Sequence, residues 1–286
     1  MPRSIDHLVV PVRDLDGAAR FYERLGFLVG ARNRHPWGTE NRLVQFPDSF
    51  IELITIGEGA DIPPPEPGSF SFGAFVQAYL AQREGLALLV LDSADAKADA
   101  AAFARAGIGA GEPFFFDRSG RRPDGSETYV AFTLAFAHPL SPSAGFFACQ
   151  QHHPENFWNA ALQTHGNGAQ GVGAVALAAA EPEAQRPFLE AFAGAEAESP
   201  AGQDLSLRLA RGRIDVLTPD DAAVLYGSVE VDPDGPSFVA FTVDVADLAR
   251  VARRFEADDT PHLRVGARLV VPASAAHGVA IAFEER

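Results

Sequence analysis

The chain is expected to fold as an α+β protein built from one small unit used four times. Three observations lead there. A strand, a helix and a hairpin recur with starts near residues 5, 86, 172 and 238, so the spacings are 81, 86 and 66. The strand segments are short apolar runs, and at 50–54 and 129–136 a two-residue alternation separates the faces of a strand. The helical segments carry apolar residues three and four apart, the period of one buried helix face.

The first unit shows the pattern most clearly. An apolar run over residues 5–12 contains one histidine, His7. Asp14 is a good N-cap, and Leu15, Ala18, Ala19, Tyr22 and Leu25 share one helix face. Gly26 stands where a helix end favours positive φ. Strands are expected at 27–31, 41–46 and 50–56, separated by Gly38 and the Pro47-Asp48 turn. Glu52 lies on the last of them.

The stretches IDHLVVPVRDLDGAARFYERLGF, GTENRLVQF and SFIELI resemble the βαβββ module of the vicinal oxygen chelate (VOC) superfamily, which includes glyoxalase I, extradiol dioxygenases and bleomycin or fosfomycin resistance proteins. The resemblance implies four modules paired into two half-open VOC barrels, with metal ligands pointing into a cavity from first and fourth strands. His7 and Glu52 fall at two such positions. The fold hosts several chemistries, so the likeness speaks to architecture before reaction.

The rest of the chain follows the same order. A breaker-rich linker, GEGADIPPPEPGS, and a short helix at 74–83 lead to a second module at 86–154, with a polar turn, DRSGRRPDGSE, inside it. There Val130, Phe132, Leu134 and Phe136 fall on one side of a strand. A third module starts with a strand at 172–178, and the fourth with one at 238–243. The expected division is an N-terminal barrel, 1–168, and a C-terminal one, 169–286. The first strands of the C-terminal half, GVGAVALAAA and SFVAFTVDV, carry no histidine, so that half is expected to lack a metal site and to be structural, a lid or a dimerisation surface.

At 286 residues and 47% hydrophobic the chain has material for full cores. No apolar run reaches the roughly 18–20 residues that span a bilayer. Cys149 is the only cysteine, which suits a reducing cytoplasm. A net charge of −15 argues against a general nucleic-acid binder. The expected partners are a small-molecule substrate and a second copy of the chain in a homodimer, with neither nucleic acid nor membrane.

Each candidate has a plainer reading. His7 is a metal ligand or a hydrogen-bonded core histidine. Glu52, set between Ile51 and Leu53, needs a cation or basic partner if buried, and is a metal ligand or catalytic base. In FFACQQHHPENFW, Gln150 and His152 share one strand face and Gln151 and His153 the other. If Phe147 packs outward, Gln150 and His152 line the cavity, His152 as third ligand and Gln150 as a substrate contact. Otherwise the histidines are surface residues. His35, Trp37 and Asn41 suit substrate orientation at the barrel rim, or a tight turn covering the core. His165 and Trp158 close the first barrel, and His138, His262 and His277 read as solvent-facing.

The expected cofactor is a divalent ion, Zn, Mn, Fe or Ni, with a metal-free cavity as the alternative. The expected function is a glyoxalase-like metal-dependent lyase or isomerase acting on a small oxygen-rich substrate. The alternatives are a binding or resistance protein without turnover and an extradiol-type dioxygenase. The last is disfavoured because LALLVLD, the first strand of module two, has no histidine.

Overall fold

The computed structural model describes residues 2–64, 70–121, 127–199 and 204–286. Parts of the breaker-rich linker and of the polar turn in module two, residues 65–69 and 122–126, lie outside the described residues.

Module one is β1 (Ile5–Pro11), α1 (Leu15–Arg24), β2 (Asn33–Arg34), β3 (Thr39–Gln45) and β4 (Phe50–Ile56). Asp14 caps α1 by accepting from the Gly17 backbone N–H at 2.8 Å, and the expected apolar face is buried. Gly26 ends the helix at φ +95. The strand expected at 27–31 does not form. Gly30 donates one backbone hydrogen bond to Leu43, and pairing begins only at Asn33.

After α2 (Phe72–Gln82), module two is β5 (Leu88–Asp92), α3 (Ala96–Arg105), β6 (Phe114–Arg121), β7 (Glu127–Ser141) and β8 (Ala144–Gln151). A single turn of helix, α4 (Pro154–Phe157), leads to module three: β9 (Ala169–Ala178), α5 (Arg186–Ala193), β10 (Ala197–Glu198), β11 (Leu205–Arg208) and β12 (Arg213–Leu217). Then α6 (Pro219–Tyr226) precedes module four: β13 (Ser237–Val245), α7 (Leu248–Ala257), β14 (Leu263–Val265), β15 (Arg268–Val271) and β16 (Ala280–Glu285).

The strands form two eight-stranded sheets in the orders β2-β3-β4-β1-β5-β8-β7-β6 and β10-β11-β12-β9-β13-β16-β15-β14. In both, the two first strands of a module pair meet antiparallel at the centre, and each also pairs parallel with the last strand of its own module. This is the α+β architecture of paired βαβββ modules.

Helices cover the outer faces of the sheets, and one apolar cluster there runs through both halves. Phe103 of α3 meets Phe192 of α5 at 5.7 Å between ring centroids, and Phe27 meets Phe283 at 5.9 Å. The two inner faces differ. In the second sheet, Ala176, Ala178, Ala240, Ala280 and Ala282 are small enough for α6 to pack against β9, β12 and β13, with Ala222 and Tyr226 in the same cluster. In the first sheet the inner residues are larger: Val9, Val90, Phe132, Phe136 and Phe147. There α2 lies against β1 and β4.

Candidate functional site

The inner face of the first sheet encloses a cavity of about 70 Å³, lined among others by His7, His35, Trp37, Asn41 and Glu52. Phe50, Phe72, Phe116, Phe132, Phe147 and Phe157 form its aromatic walls. It shares Leu43, Arg118 and Phe157 with a groove of about 610 Å³ at the mouth of the barrel.

His7 reaches the cavity through an irregularity in β1. The pairing of β1 with β5 shifts register between Ile5 and His7, leaving Asp6 as the extra residue of a bulge. Asp6 therefore lies beside His7 and not on the opposite face. Its Oδ1 is 2.5 Å from His7 Nδ1, and its Oδ2 accepts from Gln151 Nε2 at 2.8 Å. The His7 ring stacks on Phe50 at 4.2 Å and meets Phe147 edge-on at 5.6 Å. Carboxylate, ring and aromatic stack together fix the imidazole's plane.

Glu52 is buried on β4. Asn41 Nδ2 donates to its Oε1 at 2.5 Å, and His35 Nε2 is 3.8 Å from the same oxygen. His35 Nδ1 pairs with Thr39 Oγ1 at 2.8 Å, and its ring stacks on Trp37 at 4.7 Å. Burial lowers the His35 pKa, with the Glu52 charge opposing and Arg118 assisting, so the ring is neutral near pH 7. Burial also pulls Arg118 down, against the attraction of Glu52. An ionised Glu52 only accepts hydrogen bonds, so it fixes the Asn41 amide with nitrogen toward it. Asn41 Oδ1 is left buried with no partner among the described residues.

Gln150 and His152 do not reach this cavity. Phe147, Cys149 and Gln151 take the inner face of β8, whereas Phe146 and Ala148 join the core on the helix side. Gln150 turns toward α3, accepting from the Ala96 N–H at 3.1 Å and donating to the Ala94 carbonyl at 3.0 Å. His152 is exposed, with Nε2 against Thr133 Oγ1 at 2.7 Å, and His153 lies against Tyr129. The expectation had the strand one residue out of phase, because large apolar residues occupy both faces of FFACQQ and alternation alone does not choose between them.

Cys149 faces the cavity. Burial, with the nearby charges of Asp6 and Glu52, raises its pKa well above the usual thiol range, so it is a protonated packing residue. His165 is buried, taking the Leu28 N–H on Nδ1 at 2.9 Å and donating from Nε2 to the Gln45 carbonyl at 2.9 Å. Trp158 packs near Phe50. His138 is exposed, whereas His262 and His277, expected to face solvent, are half-buried against Phe255 and Phe21. The aromatic walls were the feature that sequence reading missed. Their signal was the two-residue alternation that sets Phe116, Phe132 and Leu134 on the cavity side.

The ladders test whether this cavity fits a chelated metal. Leu8 pairs with Leu89 at the centre of the two modules, which makes Leu88 the counterpart of His7 and Val90 that of Val9. Val9 pairs with Glu52 and Val90 with Phe147, so Phe147 is the counterpart of Glu52. Module two thus offers Leu88 and Phe147 where module one offers His7 and Glu52. Among the described residues no three His, Cys, Asp or Glu side chains come together to hold an ion. A divalent metal held by three or more protein ligands does not fit this donor set.

No helix among the described residues is long and apolar enough to cross a membrane. No curated protein matches the sequence. Among solved structures, a hypothetical protein from Staphylococcus aureus superposes with a TM-score of 0.68 at 12% identity, over 99% of this chain and 100% of that one. A mutant of 4-hydroxymandelate synthase from Streptomyces coelicolor gives 0.65 at 14% identity, over 100% and 93%. A fusion of a xylose isomerase-like TIM barrel with 4-hydroxyphenylpyruvate dioxygenase gives 0.55 at 16% identity, over 100% of this chain and 49% of that one. At these identities the likeness is one of fold. The sequence itself matches the glyoxalase-like domain over residues 5–193, and the chain belongs to that family.

Proposed function

We propose that the first barrel captures a small aromatic molecule bearing a hydrogen-bond donor, without needing a metal ion. The observation that carries this is the unpartnered Asn41 Oδ1 beside the Glu52 carboxylate at the polar end of an aromatic cavity. Two adjacent buried acceptors call for a hydroxyl or amine from the ligand. Phenylalanine walls suit a ring, through offset and edge-on contacts. The groove at the mouth takes whatever the ring carries. The second barrel, filled by α6, supports the first through the shared core.

A catalytic reading has one observation in its favour. Glu52 is a buried carboxylate in contact with a neutral imidazole, an arrangement suited to taking a proton from the bound donor. In that reading Glu52 is the base, Asn41 holds its carboxylate in place, and the aromatic walls exclude water.

Both readings are tested by titrating the protein with phenol and aniline, and with toluene as the donor-free control. Trp37 lines the cavity, so its fluorescence reports occupancy. Saturable quenching by phenol or aniline but not toluene is expected. Equal response to all three contradicts the role of Asn41 and Glu52. Release of a product on long incubation separates turnover from binding.

A further inference from the structure

We propose a second ligand site, for a phosphate or pyrophosphate group, in the arginine-lined cleft between the two sheets. The cleft has a volume of about 460 Å³ and lies apart from the aromatic cavity, sharing no lining residue with it. Arg208, Arg211, Arg213 and Arg286 line it, against two carboxylates, Asp48 and Asp244. Asp92 and Asp215, beside Arg211 and Arg213, bring the carboxylates to four, so charge is balanced here in a chain of net charge −15.

The guanidinium groups are incompletely used. Arg208 has no ion-pair partner among the described residues. Arg211 is about half exposed, and its nearest carboxylates, Asp48 and Asp92, stand at 3.7 and 4.0 Å, beyond hydrogen-bond distance. Arg213 spends its Nε on Asp215 at 2.7 Å, and Arg286 pairs with Asp244 at 3.1 Å.

The arginines are also held in place. Arg211 sits on the turn joining β11 to β12, Arg208 and Arg213 pair across the strands that flank it, and backbone bonds pin that turn to the start of the chain. Ala210 N donates to the Arg3 carbonyl at 2.9 Å and Ile5 N to the Arg211 carbonyl at 3.3 Å. Gly212 has φ +83, a conformation that favours glycine, and it lets the turn pack closely on Ile5. The turn is positioned by backbone before any ligand arrives, which lowers the cost of ordering the side chains. Guanidinium forks match phosphate oxygens in pairs, so Arg208 and Arg211 would grip a phosphate bidentately. Such a ligand bridges the second sheet and the β3–β4 turn of the first.

The test is calorimetric titration of the full chain with inorganic pyrophosphate and with a nucleoside diphosphate, at constant ionic strength set by chloride. One saturable site is expected, weakened at least tenfold in the Arg208→Ala/Arg211→Ala variant and unchanged in Glu52→Gln. Tighter binding of the nucleotide names a nucleotide as the source of the phosphate, and tighter binding of pyrophosphate names the inorganic ion. Should the double variant fail to fold, the single Arg208→Ala variant is read in its place. Absence of saturable binding overturns the proposal. So does binding that both arginine variants keep, or that Glu52→Gln loses.

Discussion

Phe147 occupies in the second module the position that Glu52 occupies in the first. Each stands across a parallel ladder from a valine, Val90 and Val9, and the two valines are counterparts in their modules. One inner position is thus a carboxylate in one copy of the module and a phenyl ring in the other. The result is a cavity with one polar end, where a symmetric pair would have built a chelating set.

The metal question is directly measurable. EDTA-treated protein titrated with Zn²⁺, Mn²⁺, Fe²⁺ or Ni²⁺ is expected to show no tight single-site uptake that depends on Glu52. One equivalent bound with micromolar or better affinity, and lost in Glu52→Gln, would restore a chelated site.

Tyr22 is fully buried in α1, and its hydroxyl has no partner among the described residues. Burial pushes its pKa well above the usual phenol value. An unpaired buried hydroxyl costs about 1–3 kcal/mol. Tyr22→Phe is therefore expected to leave stability unchanged or raise it by about 1 kcal/mol in urea unfolding. A clear loss of stability would show that the hydroxyl is satisfied in solution.

The two halves are expected to unfold together. Phe146 is buried among Phe188, Phe192 and Phe238, three rings from the other half. Phe146→Ala is expected to cost about 3–5 kcal/mol and to lower a single calorimetric transition. Two separated transitions, with only one moved, would contradict the shared core.

Burial lowers the pKa of His35, His165 and His277 below the ordinary 6.5. Their native forms are neutral, so the stability they supply is complete above about pH 6.5 and is lost as the pH falls through their lowered values. His165 shows the reason: Nδ1 accepts from the Leu28 N–H, and a proton on that nitrogen breaks the bond. Urea stability is expected to fall between pH 7.5 and pH 5.5, less steeply in His165→Gln. A flat profile in the native protein would refute this.

Much of this architecture was legible in the sequence. The cap at Asp14, the apolar face of α1 and the alternation of β4 are local signals, and they carried the module. So did the contrast between a histidine on the first strand of module one and none on that of module two. The phase of β8 was not legible, because Phe146 and Phe147 are equally apolar and only the pairing of Val90 with Phe147 sets the inner face. The bulge at Asp6 was hidden too. It depends on how β1 meets β5, residues more than 80 positions apart, and it brings Asp6 beside His7. The helix α6, which fills the second barrel, was passed over among stronger strand patterns.

In the proposed function, Glu52 and Asn41 receive a donor from an aromatic ligand without a metal. Calorimetric titration of EDTA-treated protein with phenol, in the native chain and in Glu52→Gln, tests it most directly. Binding to the native chain in EDTA is expected, with a loss of about tenfold to a hundredfold in the variant, the worth of one charged hydrogen bond at about 1.5–3 kcal/mol. Binding that requires added metal, or that survives Glu52→Gln unchanged, would contradict it.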